Sequence, residues 1–245
     1  MSHIIYDGPS LLDGKPIVAI ALQGKSNNDK TGDMVQTYIL CKDTDPRIAN
    51  KNGLDYSICG DCIHRGIPHN DPKKKLAKKR TCYVFIGQGP VLVYNAYKAG
   101  KYIKITTHKD ISEIGDGRSV RLGTYGDPSA VPAYVWESLL SKSSGHTAYS
   151  HQKDIENADF QPKFMMESAD TLKQAMDAWS KDHRTYRTIA SMDEIVKGKE
   201  ILCPASKEAG RRTQCTKCLL CSGSQIKAKS IAIVVHGNGA VHYTQ

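Results

Sequence analysis

"SVRLGTYGDPSAVPAYVWESLLSK", residues 119–142, decides how the chain is read. Its first nine residues combine β-branched and aliphatic side chains with glycines near the end, which predicts a strand. Beyond a turn, Ala133, Trp136, Leu139 and Leu140 recur at helical spacing, and Pro132 suits a first turn, so a helix is expected over 133–142. A strand that feeds a helix is one unit of a parallel sheet.

The same alternation recurs downstream. "GHTAYSHQ" (145–152) and "FMMESA" (164–169) predict short strands. Residues 170–181 predict a helix with Leu172, Ala175, Met176 and Trp179 on one stripe. Residues 184–189 read as a strand, Ser191 and Glu194 as a capping box opening a short helix, and 199–205 and 230–237 as closing strands. Upstream, 16–24 and 34–41 predict strands, joined by turn chemistry over 25–33. The remainder to residue 100 reads as irregular, with 42–80 as loop. The expected fold is α/β, a partial or open (β/α) barrel-like parallel sheet with a cysteine-rich, metal-binding N-terminal loop region and a C-terminal cluster loop. Residues 1–100 would supply the N-terminal strands and the cysteine-rich, basic loop, and 101–245 the barrel-like region, as one compact unit. Chemistry in such folds gathers at the carboxyl ends of strands. That rule puts Tyr125–Asp127, Ser150–Gln152, Glu167–Ser168 and Cys203 on one face.

The chain has 245 residues, 40% of them hydrophobic and 24% charged, which suits a globular domain with a full core. Its first residues lack a basic segment followed by an apolar run, and no stretch is apolar for long enough to span a bilayer, so a cytosolic protein without a membrane partner is expected. In a reducing compartment, eight cysteines at tight spacings point to metal or catalysis before disulfides.

Four of the eight fall within "LCPASKEAGRRTQCTKCLLCSG" (202–223). Cys215, Cys218 and Cys221 follow one another at two-residue intervals, and Cys203 precedes a proline. Turns of that length let neighbouring sulfurs face one centre, and the compact triple spacing suits an iron–sulfur cluster better than zinc, for which two separated pairs dominate. The other group is Cys59 and Cys62 with Cys82, and Cys41 as a possible fourth. Three cysteines suit a [4Fe–4S] cluster with an open position, and four a closed structural site; His64 and His69 are alternative ligands, and a zinc knuckle is the competing reading. The net charge of +9 hints at acidic partners. Two four-thiolate sites of about −2 each would reduce it to about +5.

"VRLGTYGDPSAVPAYVW", "TAYSHQ", the cysteine-rich block at 202–223, "SICGDC" and "RTCYVFIGQGP" together resemble a family of bacteriophage proteins, over most of the chain. Proteins of this kind look, in turn, like remote relatives of the radical S-adenosylmethionine enzymes. The resemblance implies a partial (β/α) barrel in a host cytosol, one or two [4Fe–4S] clusters, bound S-adenosylmethionine and a substrate left unspecified. On it, Cys59, Cys62 and Cys82 would hold the reactive cluster. Cys203, Cys215, Cys218 and Cys221 would hold an auxiliary one. Gly126 would give close backbone approach to the cofactor, and Asp127 would meet its methionyl amino group. The long basic insertion between Cys62 and Cys82 departs from the family's compact cysteine loop.

Residues competing with this reading are few. Asp127 also suits a helix cap. His151 and His108 are candidate proton carriers, and Asp127 and His151 are the candidates for catalysis. Arg184 and Arg187 flank Tyr186 on a strand and could meet an anion. Trp136 and Trp179 read as core. The run Lys73, Lys74, Lys75, Lys78, Lys79 and Arg80 would grip phosphates if the chain were instead a zinc-stabilised module binding nucleic acid or protein.

Overall fold

The computed structural model describes residues 2–24, 29–237 and 239–243. Part of the turn expected over 25–33, residues 25–28, lies outside the described residues. The strands are β1 (Ser2–Pro9), β2 (Pro16–Leu22), β3 (Val35–Cys41), β4 (Ile103–Lys104), β5 (Ser119–Tyr125), β6 (Gly145–Thr147), β7 (Tyr149–Ser150), β8 (Met166–Ala169), β9 (Thr185–Ile189), β10 (Glu200–Leu202) and β11 (Ser230–Val234). The helices are α1 (Pro46–Asn52), α2 (Tyr56–Cys59), α3 (Gly89–Lys98), α4 (His108–Gly115), α5 (Ala133–Leu140), α6 (Leu172–Trp179) and α7 (Cys215–Cys218).

Two sheets result, in the orders β4-β1-β2-β3-β5-β6 and β10-β11-β9-β8-β7. Only β1–β2 and β2–β3 pair antiparallel; every other ladder is parallel. The fold is therefore mixed α/β with parallel-rich sheets. The first sheet draws strands from both sides of residue 100, and its core runs from Ile4 to Met165.

Ala148 is the joint between the sheets. The segment 145–150 pairs with β5 through its first half and with β8 through its second. At the break, Ala148 donates its N–H to the Cys221 carbonyl and accepts from the Met166 N–H. Residues at the carboxyl ends of β5, β7, β8, β9 and β11 consequently line one cavity. The helix read from 119–142 forms as α5, beginning at Ala133 just after Pro132. Trp136 is fully buried there, and its indole N–H reaches the Pro128 carbonyl at 2.8 Å.

Three expectations need correction. The N-terminal part is not irregular: it contributes β1 and the helices α1, α2 and α3, of which α1 and α2 are too short to show a helical period. The stripe expected on α6 is displaced. Leu172 and Met176 are 44% and 58% exposed, while Ala175 and Ala178 are buried, since two alanines let the helix lie close to the sheet. Trp179 is half-buried and donates to Thr185 Oγ1 and Ser230 Oγ rather than packing as pure core. Finally, the capping box at Ser191 and Glu194 forms as read, but it opens a single 3-10 turn.

Two cysteine-lined cavities as the candidate functional site

The strand ends and the loops after them enclose two adjoining cavities. Cys59, Cys62 and Cys82 line the first, together with Gly126, Asp127 and His151. Cys203, Cys215, Cys218 and Cys221 line the second. All eight cysteines are free thiols. Cys41 lines neither cavity: it is buried in the first core and its thiol reaches the Leu54 carbonyl at 3.4 Å.

The first cavity is assembled by local hydrogen bonding. Cys59 ends α2, and Gly60 caps it with a φ of +50°. A Cβ at Gly60 would lie 2.0 Å from Gln152 Oε1, so only glycine fits. Gln152 occupies that space as a clamp. Its oxygen accepts from the Asp61 N–H at 3.0 Å, and its amide donates to the Cys59 carbonyl at 2.7 Å and to Asp127 Oδ2 at 3.2 Å. Arg65, paired with buried Asp55 at 2.5 Å, donates to the Gly60 and Gly53 carbonyls and pins the same turn from the other side.

Closure of the basic insertion explains how Cys82 arrives. Ile67 and Lys78 exchange backbone bonds, and the His64 carbonyl accepts from both Thr81 and Cys82. The insertion thus starts and ends at one place, which compensates for the wide sequence spacing. Within it, Lys73, Lys74, Lys75, Lys78 and Lys79 are exposed. Arg80 is not part of that charged surface: it turns inward, lines the first cavity and donates to the Cys82 and Val84 carbonyls.

Gly126 and Asp127 lie on the first cavity as expected. Gly126 has a φ of +83°, and a Cβ there would lie 2.7 Å from Ile39 Cβ, so β5 can approach β3 only with glycine. The Asp127 carboxylate serves the scaffold. It accepts from the Ser129 N–H, the His151 N–H and Gln152 Nε2, capping the 3-10 turn Pro128–Ala130 rather than α5. His151 sits between Cys62 and Asp170. Burial opposes its charge, but the Cys62 sulfur and the Asp170 carboxylate outweigh burial and hold its pKa well above the ordinary histidine value.

The second cavity is held by the ends of β10 and α7. Cys203 N–H donates to the Ala232 carbonyl, Cys215 and Cys218 share one helical turn, and Leu219 ends it in the left-handed region. The Cys221 carbonyl receives the Ala148 N–H, tying this loop to the joint between the sheets. Burial pushes the Cys221 thiol up to about 12, and it raises Cys59, Cys82, Cys215 and Cys218 as well. Opposite these thiols stands Arg121, 8% exposed, with no carboxylate partner among the described residues. Its one donated bond goes to the Tyr83 hydroxyl.

A wall of Tyr83, Tyr149, Tyr186 and His236 belongs to both cavities. The Tyr149 and Tyr186 rings lie 4.2 Å apart, and Tyr149 hydrogen-bonds Cys221. Unsatisfied polar atoms collect at the same place. Among the described residues, five buried side-chain atoms lack a partner, and four line these cavities: Arg80 Nε and Tyr125 Oη in the first, Arg121 Nε and Thr147 Oγ1 in the second. Buried polar atoms are ordinarily paired, by protein groups or by water, so both cavities have polar walls.

Other sequence candidates lie elsewhere or are already engaged. His69 bonds the Leu76 carbonyl and the Asp71 N–H inside the basic insertion, and His108 bonds Ser138 at the contact of α4 with α5. Arg184 donates to three backbone carbonyls, and Arg187 pairs with fully buried Glu200 at 2.7 Å, so neither is free for an external anion. Glu167 is buried and pairs with Lys153 and His183, whereas Ser168 does line the first cavity. Sequence reasoning put Gln152 on this face without its clamping role, and missed Arg121, Asp170 and the tyrosine wall. The available signals were that Gln152 follows His151 and that Arg121 is the one charged residue of its strand.

No protein-family model matches the chain, and no curated protein or solved structure matches it. Among the described residues, no helix is long and apolar enough to cross a membrane.

Proposed function

We propose that the chain is an iron–sulfur redox enzyme of the radical S-adenosylmethionine type, with a reactive centre in the first cavity and an auxiliary centre in the second. The observation that carries this reading is convergence. Seven cysteines from distant segments meet at two adjoining cavities that also collect the orphaned polar atoms. The parallel run β3-β5-β6 of the first sheet, followed across the joint at Ala148 by β7-β8-β9-β11-β10 of the second, supports an open barrel around them.

The donor sets speak against single zinc ions. Four thiolates on one zinc lie about 3.8 Å apart, given bonds of about 2.3 Å. Among the described residues, no three cysteine sulfurs lie within 4.8 Å of one another. A cluster spreads its thiolates over separate irons and tolerates that wider spacing. Its net negative charge would also give buried Arg121 the anionic partner not found for it among the described residues.

Clusters held at these cysteines would supply low-potential electrons for reductive cleavage of S-adenosylmethionine. The chain's own residues do the rest. Gln152 and Arg65 fix the loop carrying Cys59 and Cys62. Gly126 admits the backbone close to β3, and Asp127 rigidifies the strand end beside the reaction space. Arg80 Nε and Tyr125 Oη remain as donors facing that space, and the tyrosine wall shields the second centre from it.

Anaerobic purification tests the reading. Expected are a brown protein that bleaches with dithionite, and loss of one cluster's iron and sulfide in Cys59→Ala and again in Cys215→Ala. A colourless protein with stoichiometric zinc would overturn it and favour the nucleic-acid-binding module.

A further inference from the structure

We propose that His64, His151 and Asp170 form a binding site for a single divalent transition-metal ion on the wall of the first cavity, distinct from the thiolate centres. The three residues come from three separate segments: the 3-10 turn Ile63–Arg65, the end of β7 and the end of β8. Only the tertiary fold makes them neighbours, so no sequence spacing announces them.

The geometry is that of a ligand set. His64 Nε2 lies 2.9 Å from Asp170 Oδ1, and His151 Nε2 lies 3.3 Å from the same oxygen. All three ligand atoms fall within 4.8 Å of one another. An ion bound at about 2.1 Å by imidazole nitrogen and carboxylate oxygen spaces neighbouring ligand atoms about 3.0–3.5 Å apart, in octahedral or tetrahedral geometry. Two independent features favour an ion over a plain hydrogen-bonded trio. Both histidines turn Nε2 to one point, and the opposite nitrogen of His64 is held by Thr81 Oγ1 at 2.7 Å, the outer contact that orients a metal-binding imidazole. In addition, the side chains are 12%, 22% and 10% exposed, mostly withdrawn from water, yet both imidazoles face the cavity.

Two imidazoles and a carboxylate suit ions of borderline hardness such as Fe2+, Co2+ or Zn2+, and leave coordination positions open for a further ligand. Cys62 adjoins His151 but its sulfur falls outside the trio, so the two sites border each other without sharing a donor. The proposal does not depend on iron–sulfur clusters being present.

Cobalt titration of the full chain is the test. One equivalent of Co2+ is expected to give weak ligand-field bands without a thiolate-to-cobalt charge-transfer band. Asp170→Asn and His64→Gln should weaken that binding a hundredfold or more. Thr81→Val removes no ligand and should keep one equivalent at about tenfold lower affinity; it serves the test even if the ligand variants fold poorly. Absence of a thiolate-free cobalt band in the parent chain would overturn the site, as would undiminished affinity in folded Asp170→Asn. A colourless protein without iron would refute the redox reading and leave this cobalt result standing.

Discussion

The two cavities use cysteine in different surroundings. The first brings three thiols together through a web of backbone and side-chain hydrogen bonds, with histidines and a carboxylate beside them. The second gathers four thiols around a short helical turn and faces them with one buried cation. A three-thiol site leaves a position open for exchange, whereas four thiols close a centre. On the proposed reading, the contrast would give binding and reaction to the first cavity and electron storage or scaffolding to the second. Each experiment below acts on one side of this contrast.

Among the substitutions, the largest effect is expected from the clamp. Gln152→Ala would strand the Asp61 N–H, the Cys59 carbonyl and one bond to Asp127, each in a part-buried or buried setting. Leaving such groups unpaired costs about 1–3 kcal/mol apiece, and partial relaxation limits the total to about 2–4 kcal/mol. Denaturant titration should register that loss. Iron assigned to the first cavity should fall by half or more while that of the second is retained. Equal loss from both would mean that the cavities are one cooperative unit, and the contrast would fail.

Alkaline titration comes next. Cys41 and Cys221 both have thiols pushed from the ordinary value near 9 up to about 12, chiefly by burial. A raised folded-state value means that the folded chain holds the proton more tightly than the unfolded one. Stability is therefore complete below pH 9 and declines as pH rises from 9 toward 12, by at most about 1.4 kcal/mol per pH unit for each thiol. Metal loading makes Cys221 a thiolate already and removes its share. Cys41, outside both cavities, keeps its own. Metal-free protein should thus lose stability more steeply with pH than loaded protein, and Cys41→Ala should flatten both curves equally.

Much of the fold was legible because local patterns coincide with tertiary roles. The βα unit over residues 119–142, the strand ends at Gly126 and His151, and both cysteine groups follow from residue type and spacing. What escaped notice is set by non-local contact. Asp170, at the end of β8, reaches His64 in a turn about a hundred residues upstream, and Gln152 clamps a turn more than ninety residues upstream. Arg80 reads as one more charge in a basic run, yet the loop's closure turns it inward. The exposed Leu172 and Met176 show the converse: a correct helix whose buried face is chosen by the closeness that alanine permits.

Arg121 gives a smaller effect with a useful sign. Arg121→Met replaces a buried, carboxylate-free cation by an apolar chain of similar length. Without an anion opposite, such a cation is a burden, so the metal-free protein should be unchanged or more stable by about 1–2 kcal/mol. With an anionic centre in place, the cation favours reduction, and its loss should move the midpoint of the second centre to more negative potential. Redox titration followed by electron paramagnetic resonance separates the two centres. A shift confined to the first would reverse the assignment.

The smallest effect belongs to the lysines of the insertion. Lys73, Lys74, Lys75, Lys78 and Lys79 are exposed, and the loop's closure rests on backbone bonds at Ile67 and Lys78 and on His64, not on their ammonium groups. Replacing all five by glutamine should change stability by less than about 0.5 kcal/mol per site and leave iron content intact. Arg80→Gln, one residue further along, removes donors to the Cys82 and Val84 carbonyls and should disturb the first centre. If the lysines instead govern affinity for an oligonucleotide, the dependence on salt will be steep, and the five substitutions will reduce its slope. The boundary between Lys79 and Arg80 therefore separates the loop's outer surface from the wall of the first cavity, and the two variants measure where it lies.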